Sequence, residues 1–284
     1  MARAEEAGTD AQAFAFDPAG LEELAPRAPE YQTALPFPHI VIDDFLPETV
    51  VTAVLDEFPG PNDIAWDVYH DRGNTEKLAT QSRLLMGPVT RNLVAELNSS
   101  VFVDFLEALT GIAGLIPDPH LIGGGLHEIE SGGYLKIHAD FNRHERLRLD
   151  RRLNLLLYLN RGWAEQYGGH LELWNRDMTS CVKRILPVAN RCVVFNTTDI
   201  SYHGHPDPLA CPEGQTRKSV ALYYYSNGRP DEETSPSHTT LYQTPSEVAE
   251  RRRAARRARL RRYLPPVAID LAKRVEGRLK GAGR

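Results

Sequence analysis

The spacing of apolar residues changes partway along the chain. After Pro47, Val50, Val51, Val54, Leu55 and Phe58 recur at three-to-four spacing, which predicts an amphipathic helix. Pro88 opens a second helix over 88–97, and a third over 101–109 is closed by Gly111 and Gly114. From Leu121 onward the period shortens to two. Segments 121–122, 126–129, 134–138, 153–159, 170–174, 182–186, 191–195 and 219–225 read as strands separated by Gly, Pro, Asn and Asp. The run at 153–159 is almost wholly apolar, as in a strand buried on both faces. A short strand is expected at 39–43. Helices first and strands afterwards predict a mainly β, α+β chain, with helices packed outside a sandwich or jelly-roll core.

Outside this core the pattern fades. Residues 1–30 are rich in Ala, Glu, Gly and Pro and read as a flexible arm with a short helix near Leu21 to Leu24. Residues 59–82 read as a polar surface loop over the mouth of the β core. Residues 230–245 are polar and proline-rich, and 247–263 form a basic helix with eight arginines. Pro265 and Pro266 break that helix, and a last one is expected over 267–279. The division is an arm at 1–30, one domain at 31–229 and a polar linker with a basic helical extension at 230–284. Residues 59–82 and 226–245 are the candidate lids.

Composition changes little. The net charge of −5 fits an ordinary soluble protein, and no apolar run approaches the length of a membrane span. Three cysteines, Cys181, Cys192 and Cys211, lack metal-type spacing and fit a reducing compartment, with the cytoplasm as the default. The arginine-rich helix lacks interleaved aromatics, so a solvated face or an oligomer contact is favoured over nucleic acid.

The chemistry gathers around GGYLKIHADF, residues 132–141. Two residues apart on a strand, His138 and Asp140 share a face. A later histidine in YHGHP, His203 or His205, completes a set of two imidazoles and a carboxylate. That is the facial triad of non-haem Fe(II) oxygenases, with open positions for a cosubstrate and O2. His203 is favoured, because Gly204 permits close approach and Pro206 restricts His205. With Fe(II) the set would carry a charge of about +1, which suits a dianionic 2-oxo acid. The distal carboxylate of such an acid needs a partner when buried. Arg217, entering the last apolar strand, supplies a bidentate guanidinium. Ser219 shares its face, and the hydroxyl of Tyr158 is a further candidate for the same carboxylate. Asn154 lies on the face of Tyr158; a polar group inside an apolar run needs a partner, here cosubstrate or substrate. Lys136 shares the face of His138 without an assigned role.

Tyr134, His138 and Asp140, Tyr158-Leu159-Asn160, Gly168-Gly169 before the strand at Leu171, His203-Gly204 and Arg217-x-Ser219 occur in that order. Together they resemble the Fe(II)- and 2-oxoglutarate-dependent oxygenase superfamily, in its prolyl-hydroxylase-like branch. PFPHIVIDDFLP at 36–47 resembles the start of bacterial members. The resemblance implies a double-stranded β-helix with Fe(II) in its mouth, 2-oxoglutarate and O2 as cosubstrates, and Arg217 on the distal carboxylate, helped by Tyr158 or Ser219. Tyr134 and Leu171 come into the cosubstrate site on the same ground. It further implies hydroxylation of an unactivated C–H in a prolyl, amino-acid or other small-molecule substrate, with release of succinate and CO2. Asp140 points away from halogenation, which needs that ligand position vacant. Tyr134 stands four residues before His138 where prolyl hydroxylases often have three, and the gap from His203 to Arg217 is long. The rivals are a cupin-like metal enzyme working without 2-oxoglutarate and a non-catalytic β-sandwich binding module.

Overall fold

The computed structural model describes residues 14–69 and 73–263. In chain order the elements are α1 (Pro18–Leu24), α2 (Ala28–Thr33), β1 (His39–Ile42), α3 (Glu48–Asp56), β2 (Asp67–Tyr69), β3 (Asn74–Thr80), α4 (Pro88–Leu97) and α5 (Ser100–Thr110). There follow β4 (Ile116–Pro117), β5 (Gly125–His138), β6 (Asp150–Tyr158), β7 (Leu171–Trp174), β8 (Cys181–Ile185), β9 (Arg191–Asn196), β10 (His203–His205), β11 (Arg217–Ser226) and α6 (Pro245–Tyr263). Short 3-10 turns punctuate them.

The strands form a path β1-β9-β6-β11-β5-β10-β7-β8, antiparallel in its pairings. β5 belongs to both halves of this path. Its first residues, 125–129, pair with β11, and its last, 135–138, pair with β10. It bends between them at Gly132 and Gly133. Gly132 has φ of +85°, and a Cβ on Gly133 would meet the Glu130 carbonyl oxygen at 2.9 Å and Ile129 Cγ2 at 2.4 Å, so the crossover needs glycine. The result is the jelly-roll core expected from the sequence, with one half-sheet facing the other across a shared interior.

Alternation assigns each face. Leu153, Leu155 and Leu157 of β6, Cys192 and Val194 of β9, and Val220, Leu222 and Tyr224 of β11 pack against the helices in one large cluster. Phe102, Leu106 and Leu109 of α5 and Val51 and Val54 of α3 meet them there. Asn154 and Leu156, with Arg217, Ser219 and Tyr223, face the interior instead. A sheet covered on both faces explains why β6 reads as a continuous apolar run.

Four expectations need correction. Residues 14–30 are not a loose arm: Ala15, Phe16 and Leu21 are buried in the large cluster, as is Tyr31 just beyond. These apolar residues are too widely spaced to show a period, yet each finds the surface of α5 and its neighbours. Residues 59–82 hold the hairpin β2–β3 rather than a plain loop, and β3 extends the sheet along β5. Residues 121–122 are a turn and not a strand, with Leu121 at φ +53°. The basic helix is present as α6, but its start is tethered rather than solvated. Val248 is buried beside Ile137, Ala139, Met178 and Tyr202, and Arg251 Nη2 donates to the Asp199 carbonyl oxygen at 3.0 Å. The helix expected over 267–279 lies outside the described residues. No described helix is long and apolar enough to cross a membrane.

Candidate metal centre and its chamber

β5 and β10 run side by side with His138 opposite His203. The ring centroids are 4.5 Å apart. Asp140 follows β5 and closes the group: His138 Nε2 lies 3.4 Å from one carboxylate oxygen and His203 Nε2 3.4 Å from the other. One ligand atom from each of these residues lies within 4.8 Å of the other two. His138 Nδ1 is 2.7 Å from the Lys136 carbonyl oxygen and His203 Nδ1 is 3.0 Å from that of Ser201. A carbonyl accepts only, so each Nδ1 carries a proton and Nε2 is the ring nitrogen turned toward the cluster.

The electrostatics favour the same form. Burial pushes Asp140 up, but the neighbouring Arg151, His203 and His138 outweigh it and hold the carboxyl well below its usual range. Burial lowers His203 to about 4, against the pull of Asp140. At neutral pH the cluster is therefore an ionised carboxylate with a neutral His203.

His203 and His205 separate where the sequence left them paired. Both are buried, but only His203 joins the cluster. A bulge on β5 does the sorting: His203 pairs with His138 and His205 with Leu135, so two steps on β10 match three on β5. Gly204 sits against the bulge, where a Cβ would come within 2.7 Å of the carbonyl oxygens of Leu135 and Lys136. The same bulge turns Leu135 inward and leaves Lys136 exposed and Tyr134 half-buried. Tyr134 is thus set off the chamber wall. Tyr134, brought into the cosubstrate site by the resemblance, is not among the residues that line this chamber.

The cluster opens into a chamber of about 430 Å³ lined from both halves of the sheet. Arg217 projects into it and is 6 % exposed. Its Nε donates to the Gly169 carbonyl oxygen at 2.8 Å and its Nη2 to the Tyr158 hydroxyl at 3.2 Å. The long excursion before Arg217 therefore does not displace it. Ser219 and Leu171 also line the chamber. Tyr158 does not: fully buried, with the Arg217 guanidinium 4.9 Å from its ring centroid, it backs the arginine. Asn154 reaches the wall, but its Nδ2 donates to Asp140 at 2.7 Å and its Oδ1 accepts from Arg151 at 2.6 Å. Its polar partners are protein groups.

Arg151 is the functional residue that sequence reasoning missed. It is 1 % exposed, and its Nη2 lies 3.1 Å from the Asp140 carboxylate. The Tyr223 and Phe141 rings flank it, at 3.5 Å and 4.3 Å from the guanidinium carbon. A second bulge hides it. Tyr224 pairs with Leu153 and Tyr225 with Arg151, so Arg152 is the extra residue and Arg151 takes the inward face. The only sequence signal is a charged residue at the mouth of an apolar strand.

The outer wall comes from the two segments expected to be lids. Asp67, Tyr69, Lys77, Ala79 and Gln81 belong to the β2–β3 hairpin and its exit; Thr239, Thr240 and Tyr242 belong to a strap after β11. The Tyr242 ring lies 5.5 Å from that of His138. The strap is pinned by an Ala139–Leu241 backbone pair, with Leu241 N donating to the Ala139 carbonyl oxygen at 2.8 Å. Asn142 Nδ2 donates to Ser235 and to the Pro236 carbonyl oxygen, each at 2.9 Å.

Residues 124–225 match the family model described as the 2OG-Fe(II) oxygenase superfamily. Among curated proteins it is similar to prolyl 3-hydroxylase OGFOD1 of Mus musculus, 26% identical over 136 residues, which are 46% of this chain and 23% of that protein. The chain thus aligns with less than a quarter of the length of that relative. Among solved structures it is similar to a Pseudomonas putida prolyl-4-hydroxylase at 19% identity, covering 72% of this chain and 100% of the other, with a TM-score of 0.48. It is also similar to HygX from Streptomyces hygroscopicus, solved with nickel, 2-oxoglutarate and hygromycin B, at 11% identity, covering 74% of this chain and 94% of the other, with a TM-score of 0.47.

The residues present fit the groups this superfamily uses. Two imidazole nitrogens and a carboxylate suit a divalent iron with sites left open. A buried guanidinium in the same chamber, with no protein hydrogen bond at Nη1 among the described residues, suits the far end of a dicarboxylate.

Proposed function

We propose that the chain is an Fe(II)- and 2-oxoglutarate-dependent hydroxylase whose metal ligands are His138, Asp140 and His203. The observation that carries this is the convergence of their ligand atoms within 4.8 Å of one another in the chamber that holds Arg217. When bound, Fe(II) with 2-oxoglutarate and O2 supplies oxidative decarboxylation to succinate and CO2 coupled to hydroxylation of a C–H bond. The chain's own residues do the rest. The backbone carbonyls of Lys136 and Ser201 orient the two imidazoles. Asn154 and Arg151 hold the Asp140 carboxylate in place. Arg217, braced by Tyr158 and Gly169, receives the distal carboxylate of the cosubstrate, with the Ser219 hydroxyl alongside. The strap and hairpin limit access of water and substrate. A chamber of about 430 Å³ with a polar outer wall suits a prolyl residue or an amino-acid-sized small molecule.

Anaerobic addition of Fe(II) and 2-oxoglutarate to the full chain is expected to give a weak visible charge-transfer band. His138→Ala should abolish it, and Arg217→Leu should raise the 2-oxoglutarate concentration needed to develop it. Metal binding without any such band would favour a cupin-like enzyme over this reading.

A further inference from the structure

His205 is 3 % exposed, lines the chamber, and has no hydrogen-bond partner at either ring nitrogen. Buried polar groups are nearly always satisfied, and each exception calls for a reason. A structural histidine would show at least one protein partner, as the neighbours do: His138 and His203 use backbone carbonyls, and His127 Nε2 lies 3.2 Å from that of Gly123. Metal ligation is not the reason, because His205 falls outside the cluster.

Its place in the chamber supplies one. Two residues along β10 from His203, it points to the same side, about 7 Å further on. His205 pairs with Leu135 across the bulge, on the side of the chamber away from the His138–His203 pair. His203, His205 and Arg217 all line this one chamber. Leu135 and Leu171 give the chamber apolar wall there, so a polar atom at this depth has few alternatives to a ligand.

We propose that His205 is a cosubstrate-binding residue: its ring N–H donates to the distal carboxylate held by Arg217, and so favours a five-carbon 2-oxo diacid over shorter 2-oxo acids. This rests on the function proposed above. A neutral imidazole has one donor nitrogen, and a carboxylate has room for a further donor beyond a guanidinium and a hydroxyl. Because the partner is a ligand, both nitrogens stand alone among protein groups.

The test uses the full chain with His205→Leu, which removes both nitrogens, and His205→Gln, which keeps a donor and an acceptor. Each is titrated anaerobically, with Fe(II) bound, against 2-oxoglutarate and against pyruvate, which lacks the distal carboxylate. His205→Leu should weaken 2-oxoglutarate about tenfold or more and leave pyruvate within about twofold, with His205→Gln recovering part of the loss. The unfolding temperature of metal-free His205→Leu should match or exceed that of the native chain, since an unpaired buried polar group is removed. Unchanged 2-oxoglutarate affinity, or equal losses for the two acids, would overturn the assignment, as would metal-free variants that both unfold at lower temperature. If the native chain forms no complex with Fe(II) and 2-oxoglutarate, the proposed function itself fails and this assignment with it. If the native chain binds normally and the variants match it, only His205 is misassigned.

Discussion

A guanidinium cut off from water must find its counter-charge inside the protein, and Arg151 finds it on the carboxylate offered to the metal. Burial works against the charge on both groups, and each holds the other ionised. With Arg151 included, the metal-free cluster is close to neutral, so the net charge read from His138, Asp140 and His203 alone is too small once iron is counted. Removing one partner of a buried pair leaves the other uncompensated. Arg151→Met is therefore expected to destabilise the metal-free chain by about 3 kcal/mol. Saturating Co(II) should recover part of that loss, because the cation then neutralises Asp140. Asn154→Ala removes an orienting hydrogen bond without changing charge and should weaken Co(II) binding about 10- to 100-fold. Urea unfolding with and without Co(II) checks the first; calorimetric titration checks the second. An Arg151→Met loss that Co(II) leaves untouched would mean that the pair does not couple to the metal. The sequence made His138, Asp140, His203 and Arg217 legible as candidates because their chemistry is unusual inside apolar strands. Arg151 was not legible, since nothing local announces a bulge that swaps it with Arg152.

At the scale of elements, the strap after β11 is tied to Asp199 by two polar contacts. His238 Nε2 and Ser235 Oγ both meet Asp199 Oδ1, at 2.8 Å and 2.9 Å. Burial alone would lower His238, but Asp199 and the Thr239 carbonyl together more than offset it and leave the imidazole raised; Arg251 opposes slightly. Asp199, pushed up by burial, is held low by His238, Ser235 and Arg251. The signs set a window. A raised histidine contributes stability that is complete below its unfolded value, about 6.5, and lost as pH rises through the folded one. A depressed aspartate contributes stability present above about 3.9 and lost as pH falls through its lower folded value. The latch is therefore firmest between about pH 4 and 6.5. Amide-exchange protection of residues 235–243, corrected for intrinsic rates, should fall as pH is raised from 6 to 9. Asp199→Asn should remove that step; a step of the same size in the variant would place its origin elsewhere. The strap escaped the sequence reading as an element because side-chain hydrogen bonds to distant loops leave no period. The helices α3, α4 and α5 were legible because theirs do.

For the whole molecule, the decisive feature is that one chamber takes its wall from both halves of the sheet. His138 and His203 come from the β5–β10 side, Asn154, Arg151 and Arg217 from β6 and β11. β5 crosses from one half to the other at Gly132 and Gly133. That convergence is not written in any window of sequence, because it depends on the bend and on which strands become neighbours. Most of the longer core strands were readable, and so was the apolar run of β6; the β2–β3 hairpin, its pairing with β5 and the docking of residues 14–33 were not. A ligand spanning both halves stabilises the chain only by the amount it prefers the folded state. At one hundred times its dissociation constant that is about 2.7 kcal/mol, or roughly 5–10 °C for a domain of this size. Anaerobic Co(II) with 2-oxoglutarate should therefore move a single unfolding transition upward by that much, and His138→Ala should erase the shift. Two separate transitions, with only one responding to ligand, would show that the halves unfold independently. The chamber would then be a contact between two units and not the centre of one.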